Sequence, residues 1–395
     1  MAALDDAQPS GASSWFQDER YRSLFYQLLT VIGLAGLVYF IVSNTLANMA
    51  AKDLELGIDF LNSVAGFDIS FKLADYSLST SNYWDVFYIG LLNTLFISIL
   101  GIIAATIIGF LLGVARLSPN WIVSRLVYCY VEFVRNVPLL LQIFIWAAVF
   151  LYLPQNRDAY NLGDAFFLSN RGIELPTPIA GDTLWLTGVA LIIGIVAAIM
   201  IRRWAKKRQE ETGQVFPAGW TALGLIIVFP LLVFLVTGLP LSFELPVLKG
   251  FNFQSGINIP PSFVALWIAL SLYTAAFISE IVRAGIQSVS HGQTEAAYAV
   301  GLRSGRTLRL VIIPQALRVI VPPLTSQYLN LTKNSSLGVA VAYPELVSVF
   351  AGTTLNQTGH AVEVLFITML VYLTISLSIS MLMNWYNRSI ALVER

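Results

Sequence analysis

Eight stretches of the chain hold enough consecutive apolar residues to cross a bilayer as helix, each bounded by polar or charged positions. A hydrocarbon core about 30 Å thick takes roughly 20 residues of helix, because every backbone N–H and C=O must be paired within the segment. The stretches run near Leu24 to Ser43, Tyr88 to Val114, Ile122 to Leu153, Thr183 to Ile201, Ala218 to Leu239, Phe263 to Val282, Leu310 to Thr332 and Val364 to Tyr386. The third and seventh are irregular. In the seventh, Pro314, Pro322 and Pro323 each remove a backbone donor, which predicts interruptions and bends there. Breaks of this kind persist where a neighbour or a cavity satisfies the freed carbonyls. A polar series follows, with Thr325, Ser326, Gln327, Asn330, Thr332, Lys333, Asn334, Ser335 and Ser336 on the outer half, where a translocation path is expected. The competing reading is that these polar residues bond one helix to another.

Three outer segments, Asn44 to Asp85, Pro154 to Asp182 and Pro240 to Ser262, carry Gly, Pro and Asn and are left without a predicted shape. Residues 1–14, polar with Pro9 and Gly11, read as a cytoplasmic tail. Trp15, Phe16 and Tyr21 beside Arg20 and Arg22 read as an interfacial anchor, so the tail and anchor together take residues 1–23. The first apolar run is longer than a secretory h-region and has no small-residue cleavage site after it, so it is expected to stay as a signal-anchor helix.

Composition agrees with a membrane location: 56% of residues are hydrophobic, 12% are charged, and the mean hydropathy is +0.72. The formal net charge is zero, which gives no reason to expect nucleic acid as a partner. Placement of the charges is more informative. With both termini inside, fifteen Lys and Arg fall on cytoplasmic segments and five (Lys52, Lys72, Arg157, Arg171 and Lys249) on outer ones, as short basic loops require. Cys129 is the single cysteine, which excludes an intramolecular disulfide, and His291 and His360 fall on opposite sides, which argues against a paired-His metal centre.

Between Ser290 and Pro314 the apolar chain is interrupted by a segment of cytosolic type, HGQTEAAYAVGLRSGRTLRLVIIP. Ser290 and Gln293 have the spacing of a capping box, and Gly301 is placed to end the helix in left-handed geometry. A helix of about ten residues is marginal alone in water and needs a partner to pack against. Ala296, Ala297 and Ala299 allow close backbone approach, Glu295 offers a charge, and Arg303, Arg306 and Arg309 follow for ion pairing. An ordinary cytoplasmic loop with an Ala-rich helix is the alternative.

The segment resembles the EAA loop of ABC importer permeases. Glu295, Ala296, Ala297, Gly301 and Pro314 match that pattern, and Val311 and Ile313 depart from it conservatively. Further matches are to the polar amino-acid permeases: Leu92-Asn93-Thr94 on the second span, the run Arg135 to Gln142 on the third, and Pro314 to Arg318 with Pro322-Pro323-Leu324 on the seventh. The resemblance implies an all-α membrane protein of about eight transmembrane helices. Its type I importer core of five helices is joined by one amino-terminal helix and two helices in an insertion at about 154–262. The permease domain would then be 88–387, preceded by a first helix and outer loop at 24–87. Its coupling loop would be 284–309, with 388–395 a cytoplasmic end. With Gly66 to Ser70 in the first outer loop, the layout resembles the larger permease subunit of general L-amino-acid and glutamate/glutamine/aspartate/asparagine uptake systems.

Several expectations follow from that resemblance. This chain is a permease subunit in a bacterial inner membrane, in a heterodimer with a second permease. Its other partners are two ATPase subunits and a periplasmic amino-acid-binding protein. The chain has no G-x-x-x-x-G-K-[ST] phosphate loop, so ATP and Mg²⁺ are expected on the ATPase subunits, with no cofactor on this one and no enzymatic role for it. Gln293, Glu295, Ala296, Ala297, Gly301 and Arg303 are the expected coupling residues.

An amino-acid zwitterion needs an acceptor for its ammonium and donors for its carboxylate, which makes Gln142, Lys333, Asn334, Ser335 and Arg135 candidates for the substrate path. Many family members carry aspartate where Asn334 stands, so acidic and neutral substrates fit better than cationic ones. Arg135 serves a carboxylate if it faces the cavity, and pairs with Glu132 if it lies at the inner interface. Glu280 and Arg283, three residues apart, are expected to pair on one helix face in a structural or transmission role. An ion-gradient-driven secondary transporter and a non-transporting membrane scaffold are the alternatives.

Overall fold

The computed structural model describes residues 19–51 and 57–390, and the tail and the expected anchor residues Trp15 and Phe16 lie outside them. The chain divides into two units at Phe60/Leu61. In the first unit, helix α1 (Glu19–Ala50) is apolar and exposed almost throughout. The second unit holds everything else. The chain from Leu61 belongs to this larger unit, where Leu61, Ala65 and Ile69 are buried.

Among the described residues, seven helices are long and apolar enough to cross a membrane, and an eighth candidate is a sharply bent pair. Helix α2 (Tyr83–Ala115) opens on a capping box, with the Asn82 side chain accepting from Asp85 N–H and the Asp85 carboxylate accepting from Asn82 N–H. Helices α3 (Trp121–Asn136) and α4 (Leu139–Leu151) meet at 107°. The break falls at Val137-Pro138, where Val137 is extended (φ −97°, ψ 128°), the conformation a following proline favours. The third stretch is therefore two short helices and not one bent rod.

In the insertion, α5 (Leu184–Thr212) packs against a second span made of α6 (Ala218–Leu223), a π-turn (Gly224–Val228) and α7 (Phe229–Val236). Ala190, Gly194 and Ala198 form a small-residue stripe with a spacing of four. At Gly194 a Cβ would lie 2.2 Å from the Leu225 carbonyl oxygen, so only glycine permits this crossing.

The segments flanking this hairpin hold short strands that the sequence did not indicate. β1 (Tyr160–Leu162), β2 (Phe166–Ser169), β3 (Gly172–Leu175) and β8 (Ile257–Ile259) form one antiparallel sheet in that order. β4 (Thr177–Ala180) pairs with β5 (Leu241–Glu244), and β6 (Val247–Lys249) pairs with β7 (Asn252–Gln254).

Helix α8 (Pro261–Gln287) is the hub of the second unit, in contact with α2, α3, α4 and a later helix, α11. Glycines let α2 lie against it: a Cβ on Gly109 would sit 2.6 Å from Ile278 Cβ, and one on Gly113 2.6 Å from Val282 Cβ. With Gly101 and the fully buried Ala105, these small residues recur every four positions, the pattern that brings membrane helices together by close packing.

After α8 come α9 (His291–Ala299), α10 (Ser304–Thr307), a π-turn (Leu308–Ile312) and α11 (Ile313–Asn334). Here the expected proline interruptions do not appear. Pro314 sits in the first turn of α11, directly after the π-turn that absorbs the irregularity, and the helix runs without a break through Pro322 and Pro323. Burial of Ile320, Val321 and Leu324 holds this stretch in place, and Ile320 packs where Gly285 of α8 has no side chain. A 3₁₀ segment (Ser335–Val341) and a π-helical turn (Val347–Thr354) lead through α12 (Leu355–Thr358) to α13 (Ala361–Ile390).

Candidate functional site

Two regions carry the expected chemistry, and α11 reaches both. The first is α9. Ser290 stands at its N-cap, but no side-chain capping bond forms. Gln293 does not reach back to close a box; its Oε1 accepts from Gln315 Nε2 at 3.2 Å and ties α9 to the first turn of α11. The carboxyl end follows the sequence. Gly301 has φ +80°, its N–H donates to the Tyr298 carbonyl at 2.9 Å, and Leu302 N–H donates to the Ala297 carbonyl at 3.0 Å, which together make a Schellman cap. Ala297 is buried and points inward. Gln293, Glu295, Ala296, Gly301 and Arg303 are exposed, as are Tyr298 and Val300. Among the described residues the Glu295 carboxylate has His291 Nδ1 beside it, at 3.1 Å, and stays 71% exposed. A nine-residue helix presenting both charge and apolar surface has the form of a docking element.

The second region is a cavity of about 310 Å³ between α8 and α11, lined by Tyr273, Thr274 and Phe277 on one side and by Gln327, Asn330 and Asn334 on the other. The three amides recur at i, i+3 and i+7, so one face of α11 presents them together. Each amide offers both donors and an acceptor.

Of the expected path residues, Asn334 lines this cavity, and Lys333 beside it is exposed on the last turn of α11. Arg135 approaches from α3: its guanidinium lies 5.3 Å from the ring centroid of Phe277, a wall residue, and 3.9 Å from Glu132. Arg135 itself is not among the residues that line the cavity.

Gln142 and Ser335 are placed elsewhere. The Gln142 amide is buried and donates to the carbonyls of Val134 and Val137, both at 2.9 Å. It holds the α3–α4 break, where a proline has removed a donor. Ser335 is fully enclosed and donates to the Thr332 carbonyl at 2.7 Å.

At the end of the bundle next to α9, Glu280 accepts from Arg283, as expected, and also from Arg116 of α2. Arg116 in turn lies 3.7 Å from Glu132, so α2, α3 and α8 share one ionic cluster.

Sequence reasoning missed Glu345. It is fully buried and accepts from the Val347 and Ser348 N–H groups, both at 2.8 Å, and from the Tyr372 hydroxyl at 3.2 Å. One signal was available: it is the only acidic residue between Glu295 and Glu363.

Residues 190–392 match the family model described as a binding-protein-dependent transport system inner membrane component. The general L-amino acid transport system permease protein AapQ of Rhizobium johnstonii is 49% identical over 396 residues, 99% of this chain and 98% of that one. The chain belongs to the amino-acid ABC transporter permeases.

The glutamate/glutamine/aspartate/asparagine transport system permease protein BztB of Rhodobacter capsulatus is 44% identical over 430 residues, with both chains covered in full. Among solved structures, one of an amino acid ABC transporter with histidines aligns with 78% of this chain and 95% of that one, at 20% identity and a TM-score of 0.45. As an ABC permease this is a multi-pass, all-α membrane protein, a transport component whose ATP hydrolysis belongs to other subunits.

Proposed function

We propose that this chain is the larger permease subunit of an ATP-driven importer of acidic and amide amino acids, and that α9 is its coupling hook. The observation that carries this reading is the continuity of α11. Its first turn is tied to α9 through Gln315 and Gln293, and its far half carries Gln327, Asn330 and Asn334 into the cavity. A displacement of α9 by an ATPase subunit is thereby passed along a single rod to the groups that meet substrate.

The substrate range rests on the printed names of the relatives, AapQ for general L-amino acids and BztB for glutamate, glutamine, aspartate and asparagine. Cavity chemistry is in keeping with them. Three amides offer acceptors to an ammonium and donors to a carboxylate, and Arg135, whose guanidinium lies against the wall residue Phe277, and Lys333, next to Asn334 on α11, are the proposed partners of an acidic side chain. A second permease subunit completes the path. Two ATPase subunits hold ATP and Mg²⁺ on the cytoplasmic side, where both termini lie. A periplasmic binding protein delivers substrate from the opposite face.

The test is reconstitution of the full complex with Glu295→Lys and Gly301→Asp. A loss of about 1–3 kcal/mol of coupling corresponds to roughly 5–150-fold in coupled activity, so uptake is expected to fall by that order while the chain inserts at normal abundance. Normal uptake by both variants, at normal abundance, would overturn coupling through α9.

A further inference from the structure

Where α2, α3 and α8 end together beside α9, a cleft of about 360 Å³ is lined by Arg116, Trp121, Ser124, Arg125, Tyr128 and Arg283 among others. The sequence places its residues by helical spacing. Trp121, Arg125, Tyr128, Glu132 and Arg135 follow one another at steps of four, three, four and three, so a single face of α3 turns toward the ionic cluster.

Charge in this cluster does not balance. Arg116, Arg125, Arg135 and Arg283 surround two carboxylates, Glu132 and Glu280, each of which already serves two guanidiniums. Arg125 has no carboxylate partner among the described residues; its guanidinium and that of Arg116 both lie 5.1 Å from the Tyr128 ring centroid. Two cations on one ring, at the mouth of an open cleft, form a site that is short of an anion.

The adjacent face of α3 says what kind of anion. Ile122, Leu126 and Phe133, one helical position round from the basic face, are 61%, 66% and 66% exposed, and Trp121 at the cleft mouth is 74% exposed. Surplus positive charge beside an uncovered apolar stripe matches an amphiphile whose anionic head and acyl chain are joined. Basic pockets between transmembrane helices on the cytoplasmic side suit phosphate headgroups for this reason.

We infer that this cleft binds the phosphate of an anionic phospholipid of the inner leaflet, with Arg125 as the primary contact and the Ile122–Leu126–Phe133 stripe against its acyl chain. The cleft shares no lining residue with the substrate cavity, and its assignment to the inner leaflet rests on the orientation proposed above.

Native mass spectrometry of the purified full complex tests it, with titration of phosphatidylglycerol, phosphatidylcholine of the same chain length and inorganic phosphate. Phosphatidylglycerol should be retained over phosphatidylcholine, and Arg125→Gln should weaken that retention about fivefold, the effect of one basic contact at a membrane surface. Arg125→Lys should restore most of it. Arg388→Gln, an exposed basic residue at the end of α13, should leave it unchanged. Intact complex mass and unaltered phosphatidylcholine retention show that Arg125→Gln is folded. Equal retention of the two lipids overturns the proposal, as does unchanged retention in Arg125→Gln or an equal loss in Arg388→Gln. Saturable binding of inorganic phosphate without preference for the lipid would assign the cleft to a free anion and overturn the lipid reading.

Discussion

Asn93 of α2 donates to the backbone carbonyl of Pro344, 251 positions later, at 2.8 Å, and with its second amide hydrogen to the Phe71 carbonyl at 2.9 Å. Next to it, Thr94 Oγ1 accepts from Leu346 N–H at 3.0 Å, and the Tyr343 hydroxyl donates to the Asn93 carbonyl at 3.1 Å. The Leu92-Asn93-Thr94 match is thus a clasp between α2 and the turn that follows α11. Phe71, Phe96, Phe263 and Tyr343 pack around it with ring centroids 5.5 to 6.2 Å apart.

Asn93→Ala leaves two enclosed carbonyls without their donor. Each orphaned group costs about 1–3 kcal/mol, so the thermal midpoint of the detergent-purified complex should drop by several degrees. An unchanged midpoint would mean that the clasp contributes nothing to stability.

Gly109→Val should be more damaging than its size suggests, because the new side chain enters space held by Ile278. Overpacking of this kind costs about 1–3 kcal/mol or more. Gly33→Ala on α1, where nothing lies within 4 Å, serves as the comparison and should be neutral. Purified yield and midpoint for the pair decide whether the α2–α8 crossing is as close as described.

Gln142→Leu removes the donor to Val134 and Val137 while keeping side-chain bulk. The expected result is a destabilised α3–α4 junction, about 1–3 kcal/mol by loss of paired carbonyls, with substrate preference unaltered. A changed rank order of transported amino acids at normal stability would instead place Gln142 on the path.

Asn334→Leu should show the opposite split. Its side chain faces the cavity, so assembly and midpoint should hold while uptake per complex falls by about tenfold, the factor of one lost interaction worth 1.4 kcal/mol. Ser335→Ala, at an enclosed position, should move the midpoint more than the uptake.

The spans were readable because bilayer thickness imposes its length on the apolar runs, and the end of α9 because a left-handed cap demands glycine at one spacing. Prolines were harder to read. Pro138 breaks the chain, whereas Pro322 and Pro323 do not: Ile320 is seated at Gly285 of α8, a partner on another helix, while Gln142 folds back onto the break from one turn beyond it. The ionic cluster was half legible, since Glu280 and Arg283 share a helix but Arg116 is 164 positions from Glu280. Strands of three or four residues in Gly- and Pro-rich segments have too few alternations to register as a pattern. Glu345 was passed over because a single acid in a run shows neither its depth nor its three donors.

The pairing of β3 with β8 sets Leu175 opposite Ile257, strands about 4.8 Å apart. The polypeptide therefore departs from and comes back to one spot, and everything between, the α5 hairpin included, hangs from a closed neck. Such a segment is a cassette: excising it asks only for a tight reversal between two neighbouring strands, and acquiring it leaves α4 and α8 where they were.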